Sequence, residues 1–257
     1  MEIVILGAGN IATHLAKALK NKGFTIAQIY SRTAESAKAL SDMLDVPYIT
    51  EIDDLYKNAA VYIYALKDSA LETLISRINV PEAIHIHTAG SVSLNIFQDK
   101  TSRYGVIYPL QTFSKTKNID FENIPLLVEG NNAETTKILM DIANRLSTQC
   151  FQVNSEQRAK LHLSAVFACN FTNYMYAIAE ELVTESNLPF DILKPLIAET
   201  ADKINNLSPK LAQTGPAVRY DANILEKHIA MLQHKPELMK IYKELSEQIH
   251  KRATTNQ

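Results

Sequence analysis

Ile3-Val4-Ile5-Leu6 runs straight into Gly7-Ala8-Gly9-Asn10-Ile11-Ala12, and His14-Leu15-Ala16-Lys17-Ala18-Leu19 follows. Four apolar residues read as a strand buried on both faces, G-x-G-x-x-A as a tight turn, and the last stretch as an amphipathic helix. A dinucleotide pyrophosphate needs that order of parts. Gly7 permits the sharp turn, Gly9 lets backbone approach a phosphate, and Ala12 is small enough for the helix to pack on the strand. Asn10 and Ile11 open the helix, whose N-terminus offers unpaired N–H groups and a positive dipole end to the anion. Glycines punctuate many loops, so the turn gains its weight from the strand before it and the residues after it.

Thr25-Ile26-Ala27-Gln28-Ile29-Tyr30 is the next β-rich segment, and it ends in Ser31-Arg32-Thr33. An NAD site places an acid here for the ribose 2′-hydroxyl, and that acid would repel a 2′-phosphate. A guanidinium between two hydroxyls instead suits the phosphate, which points to NADP as the cofactor. The alternative is a solvated Arg32 with Thr33 capping the helix Ala34 to Leu44.

Working outward, the 257 residues carry a formal charge of -2 and are 46% hydrophobic. That length allows one large domain or two modest ones. The near-neutral balance speaks against nucleic acid or an anionic membrane as the partner. Cys150 and Cys169 are too few for a disulfide framework and read as thiols in a reducing compartment. No apolar run approaches the length of a membrane span and no basic leader is visible, so a soluble, cytoplasmic protein is expected.

Strands are expected near 47–49, 60–66, 83–87, 104–108, 124–128 and 150–153. Helices are expected at 69–78 and 134–146, with a short helical turn at 51–56. The alternation predicts an α/β fold, a doubly wound, mostly parallel sheet, over residues 1–153. From residue 154 no strand-like segment follows. Asn154 or Ser155 caps a helix expected to run without a break to about Ser186. Its middle, Leu161 to Cys169, is apolar nearly all round and must be covered, by the first domain or by a second copy. Further helices are expected at 191–206, 222–233 and 236–251. Residues 154–257 thus form an all-helical domain for substrate binding and dimerisation, and a homodimer through it is expected.

The N-terminal Rossmann pattern with Gly-Ala-Gly-Asn and Ser-Arg resembles pyrroline-5-carboxylate reductase, the deazaflavin-dependent NADP oxidoreductases and the β-hydroxyacid dehydrogenases. Over nearly the whole chain it resembles a bacterial family with a Rossmann-like domain followed by a domain of unknown function. His87-Thr88-Ala89-Gly90-Ser91, Tyr108-Pro109-Leu110-Gln111-Thr112-Phe113, His162 with Asn170, and Thr214 to Asp221 carry that likeness. It implies an NADP oxidoreductase with a helical domain like the C-terminal one of 6-phosphogluconate dehydrogenase. It implies no substrate. A β-hydroxyacid dehydrogenase would carry a catalytic Lys on the long helix with Asn one turn later. Here Lys160 is followed one turn on by Ser164, which counts against that mechanism.

Ligands of such sheets bind beyond the carboxyl ends of the strands. By analogy Leu66 and Lys67 lie at the adenosine ribose, and Ala89, Gly90 and Ser91 face the nicotinamide. His87 is a candidate proton donor, or else a hydrogen-bonded strand residue, as His85 is expected to be. On the long helix, 100° per residue puts Asn173 ~20° and Asn170 ~80° from His162. One polar stripe on an apolar helix needs a reason. It is either a substrate-facing wall with His162 as acid or carboxylate anchor, or a structural hydrogen-bond network. Arg219 could clamp a substrate carboxylate; the alternative is a capped turn with Asp221 as N-cap. No metal site is evident.

These residues predict transfer of hydride between NADPH and a small carbonyl, imine or similar acceptor bearing a carboxylate, in the cleft between the domains. The rival from another class is a sensor or regulatory protein that binds NADP(H) without turnover.

Overall fold

The computed structural model describes residues 1–114, 117 and 119–255. It divides into two compact units, Met1–Asn170 and Phe171–Gln257.

The first unit is built on β1 (Glu2–Leu6), α1 (Asn10–Asn21), β2 (Thr25–Tyr30), α2 (Ala34–Leu44), β3 (Tyr48–Ile49), β4 (Val61–Tyr64), α3 (Asp68–Arg77), β5 (Ile84–His87), β6 (Tyr104–Pro109), β7 (Leu126–Gly130), α4 (Ala133–Leu146), β8 (Cys150–Gln152) and α5 (Ser155–Ala165). The eight strands lie in one sheet in the order β3-β2-β1-β4-β5-β6-β7-β8. All neighbours are parallel except β6 and β7, which are antiparallel. The order reverses beside β1, so the loop after β1 opens at the switch point of the sheet.

Alternation along β1 supplies both faces. Ile3 and Ile5 pack with Leu15 and Leu19 of α1 and Leu139 of α4. Val4 and Leu6 pack with Leu71 and Ile75 of α3. All four strand residues are fully buried, as a central parallel strand requires. Among the buried polar residues, Glu129 of β7 and Arg158 of α5 are the acid and the guanidinium.

The type of structure changes after β8, as composition predicts. The compact units part later, at Asn170 and Phe171, so α5 belongs with the sheet. Asn154 caps α5 in a capping box with Gln157. The expected unbroken α-helix is interrupted: Val166–Phe171 is π-helical, and α6 (Thr172–Glu185) follows. A π segment has i→i+5 bonds and a wider turn, so the uniform 100° per residue does not carry through it. The ~20° alignment of Asn173 with His162, which assumes a uniform α-helix, therefore does not hold across this segment. Leu161 and Leu163 are 37% and 57% exposed, so the single chain does not bury this apolar stretch.

The second unit continues with α7 (Lys194–Lys203), α8 (Pro209–Ala212), α9 (Pro216–Arg219), α10 (Ala222–Met231) and α11 (Pro236–Thr254). The helices α8 and α9 are too short to leave a periodic signal in sequence. Among the described residues of this unit only Ala217, Leu225 and Leu232 are buried. No helix among the described residues is long and apolar enough to cross a membrane.

Candidate active site

A cavity of about 450 Å³ lies beyond β1, β2 and β4. Gly7, Gly9, Ser31, Arg32, Thr33, Leu66 and Lys67 line it, and Ser36, Thr73 and Arg77 join them. Gly7 sits at φ 128°, and a Cβ there would stand 2.2 Å from the Ala65 carbonyl oxygen. No other residue takes that conformation at comparable cost. At Gly9 a Cβ would meet nothing within 4 Å, so backbone is laid open to the cavity beside the N-terminus of α1. The lining contains no acid and three cations, Arg32, Lys67 and Arg77. Arg32 makes no ion pair among the described residues, and Arg77 is 3.9 Å from Asp53. Thr33 stands at the N-cap of α2 without a side-chain cap bond, which leaves its hydroxyl available. This donor set fits a dinucleotide with a 2′-phosphate. Sequence reading missed Arg77 because it is the last residue of α3, where a cation ordinarily answers the helix dipole.

Asn10 and Ile11 are placed differently. Asn10 Nδ2 donates to the Phe113 carbonyl at 2.7 Å, and Ile11 packs against the core. Neither lines the cavity.

The loop after β5 is shaped by two buried side chains. His87 is fully buried, and its Nδ1 accepts from Ala89 N–H at 3.1 Å. Burial pushes its pKa down to about 3, and the Arg158 guanidinium adds to the drop; the Ser93 backbone opposes it. His87 Nε2 has no partner within hydrogen-bonding geometry among the described residues. Full burial and the lowered pKa favour His87 as a strand residue over His87 as proton donor. His85 is likewise a strand residue, bonded to Tyr64 Oη at 2.9 Å and to the Val80 carbonyl at 3.1 Å.

Arg158, fully buried, donates to the carbonyls of Ala89, Gly90 and Val92 at 3.1, 3.0 and 2.7 Å. Its Nη2 donates to the Glu129 carboxylate at 2.9 Å and to Ser155 Oγ at 3.1 Å. The guanidinium thus fixes the course of residues 89–92. Ser91 Oγ donates to the Asp68 carboxylate. Arg158 was missed because an arginine in a first helical turn reads as solvated. The signal was its partner, a lone acid in the apolar strand Leu126-Leu127-Val128-Glu129-Gly130.

One turn along α5 from Arg158, His162 lies over Gly90 beside Tyr108. Tyr108 Oη is 3.0 Å from His162 Nδ1. Asn170 falls within the π segment. Asn173 and Arg219 belong to the second unit. There, Pro216 opens α9 and Tyr220 takes a left-handed φ of 50°. Asp221 caps α10, accepting from Ile224 N–H at 3.5 Å. Arg219 is exposed and makes no ion pair with Asp221. Among the described residues no group of three or more His, Cys, Asp or Glu could hold a metal ion.

Residues 2–89 match the family described as NADP oxidoreductase coenzyme F420-dependent, and residues 124–249 match the domain of unknown function DUF2520. A solved structure from Bacteroides fragilis, a "putative NADP oxidoreductase", is 48% identical, with 97% of this chain and 98% of that one covered and a TM-score of 0.92. A 1-pyrroline-5-carboxylate reductase from Streptococcus pyogenes is 16% identical, with 97% and 98% covered and a TM-score of 0.64. A reductive aminase from Aspergillus terreus, solved with NADPH and ethyl-5-oxohexanoate, is 17% identical, with 96% and 92% covered and a TM-score of 0.75. No curated protein matches the chain.

Proposed function

Because this chain belongs to the family of NADP oxidoreductases that joins an F420-dependent-type module to a DUF2520 domain, we propose that it reduces a small imine or carbonyl compound bearing a carboxylate. It is an NADP-dependent oxidoreductase. The observation that carries the cofactor is the acid-free cavity with Arg32 and Arg77 beside the Gly7–Gly9 turn. Bound there, NADPH supplies the hydride. The chain supplies the rest: Ser31, Arg32, Thr33 and Arg77 hold the 2′-phosphate, and the backbone at Gly9 and the start of α1 takes the pyrophosphate. Arg158 fixes the loop Ala89–Ser91, and His162 gives a proton to the acceptor's oxygen or nitrogen. Asn170 orients the acceptor.

We further propose a cytoplasmic homodimer formed by the second unit. Its support is the apolar surface of a single chain, with Leu188, Ile192, Leu196 and Met231 47%, 58%, 63% and 78% exposed.

Calorimetry with NADPH and NADH, then NADPH oxidation across cyclic imines and 2-oxo acids, tests the reading. NADPH is expected to bind the more tightly, and carboxylate-bearing acceptors to turn over fastest. Tighter binding of NADH would overturn the cofactor assignment. NADPH binding without oxidation by any acceptor would favour a sensor.

A further inference from the structure

Gly90, Tyr108 and His162 come from three separate segments of the first unit and meet at one edge of one imidazole. Tyr108 Oη lies 3.0 Å from His162 Nδ1, and the two rings cross at 72°. A Cβ on Gly90 would stand 2.6 Å from Nδ1 and 2.8 Å from Cγ of His162, and 2.9 Å from Tyr108 Cζ. Backbone and phenol therefore both take the Nδ1 side of the ring. Nε2 lies across the ring from Cγ and makes no hydrogen bond with the described residues. The backbone under the ring is itself held, because Arg158 ties the carbonyls of Ala89, Gly90 and Val92.

We infer that Tyr108 is a positioning residue, with Gly90 as the floor beneath the ring: together they commit Nδ1 of His162 and leave Nε2 as the atom through which the ring exchanges a proton with the acceptor. The inference rests on the reading of His162 as the acid of a reductase. A phenol suits the part because its oxygen accepts from Nδ1–H in the imidazolium and equally in the neutral ring that remains once Nε2 has given its proton, which holds that ring in one tautomer. Tyr108 is not itself the proton source. Burial raises its pKa; the Arg158 guanidinium opposes this and the Asp68 carboxylate adds to it, so the phenol keeps its proton in neutral water. In the reductive direction the imidazolium gives its Nε2 proton to the acceptor's oxygen or nitrogen as the acceptor's carbon takes the hydride. The ring is left neutral and regains a proton from water. Holding an acid within a fraction of an ångström of its working position is worth a large share of such a step.

The test is ¹⁵N NMR of the histidine rings in the full chain, with His162 assigned through His162→Gln. The wild-type neutral ring is expected in one tautomer, and Tyr108→Phe in a mixture of two. Gly90→Ala, which pushes the ring from its seat by a different route, should give the same mixture. For 1-pyrroline-2-carboxylate as acceptor, kcat in Tyr108→Phe should fall about ten-fold, with NADPH affinity by calorimetry and KM for NADPH unchanged. A wild-type ring already in two tautomers, or a pattern untouched by Tyr108→Phe, overturns the inference. Wild-type protein that binds NADPH and leaves 1-pyrroline-2-carboxylate unreduced counts against the substrate class instead, and the tautomer pattern still decides the part played by Tyr108.

Discussion

Burial keeps the His87 imidazole neutral, and that makes stability depend on pH. An unfolded chain protonates His87 near the ordinary pKa of about 6.5, whereas the folded chain does so only at about 3. Between those values the unfolded state binds more protons, so the contribution is complete above about pH 6.5 and is lost as pH falls toward 3. A fall from 6.5 to about 3 is worth on the order of 4–5 kcal/mol at full titration. His85 is shifted the same way by burial, with the Val80 backbone opposing, and adds to the slope. Urea midpoints should decline steadily from pH 7 to pH 4, and His87→Gln should flatten that decline; parallel curves for the two proteins would refute the assignment. The cavity residues give a second prediction. An arginine–phosphate bond contributes roughly 1.5–3 kcal/mol, so Arg32→Ala and Arg77→Ala should each weaken NADPH about ten-fold or more and leave NADH nearly unchanged. Equal losses for both nucleotides would place these cations away from the 2′-phosphate.

Elements announce themselves in sequence when one face repeats, and the joints between them do not. The helix Ala34–Leu44 is formed with the bounds its periodicity predicts, and the strand before Ser31-Arg32-Thr33 ends where the β-rich run stops. Gly7, Ser31 and Arg32 were legible as a site because one local turn and one strand end carry the chemistry. Tyr108, His162 and Gly90 were legible only as separate strings, since their meeting depends on how β6, α5 and the loop after β5 pack. The π segment left no signal at all, for no residue type marks an i→i+5 bond. Two elements joined by a buried ion pair should be sensitive to either partner. Glu129→Gln leaves Arg158 charged in a sealed site and should cost about 3–5 kcal/mol, read as a lower urea midpoint. A loss below 1 kcal/mol would mean that water reaches the guanidinium. The π segment makes a separate prediction. Such bulges recur at functional sites and are less favourable than α-helix. Deleting Ala168 should return a regular helix with melting temperature no lower, while turnover falls at least about ten-fold. Undiminished turnover would make the π segment a packing accommodation.

At the scale of the whole molecule the two units differ in how well they can stand alone. The first buries a sheet on both faces and holds nearly all the core. The second buries only Ala217, Leu225 and Leu232 among its described residues, while Leu196, Leu211 and Met231 are 63%, 71% and 78% exposed. Burying a leucine side chain contributes roughly 1.5–3 kcal/mol, and ordering each residue costs about 1–2 kcal/mol in backbone entropy alone. Helices that leave their leucines in water gain little against that cost, and this is the ground for the proposed second copy. With the proposed second copy in that place, folding of the helices and association become one event, and stability depends on protomer concentration. Melting temperature should therefore rise with protein concentration, and sedimentation should give a dimer. Leu196→Asp with Met231→Asp puts charges on that surface, where desolvating them is costly. The double variant should sediment as a monomer with reduced helical circular dichroism, while the cavity in the first unit still binds NADPH. A wild-type monomer with full helicity and a concentration-independent melting temperature would show that the helices stand without a partner.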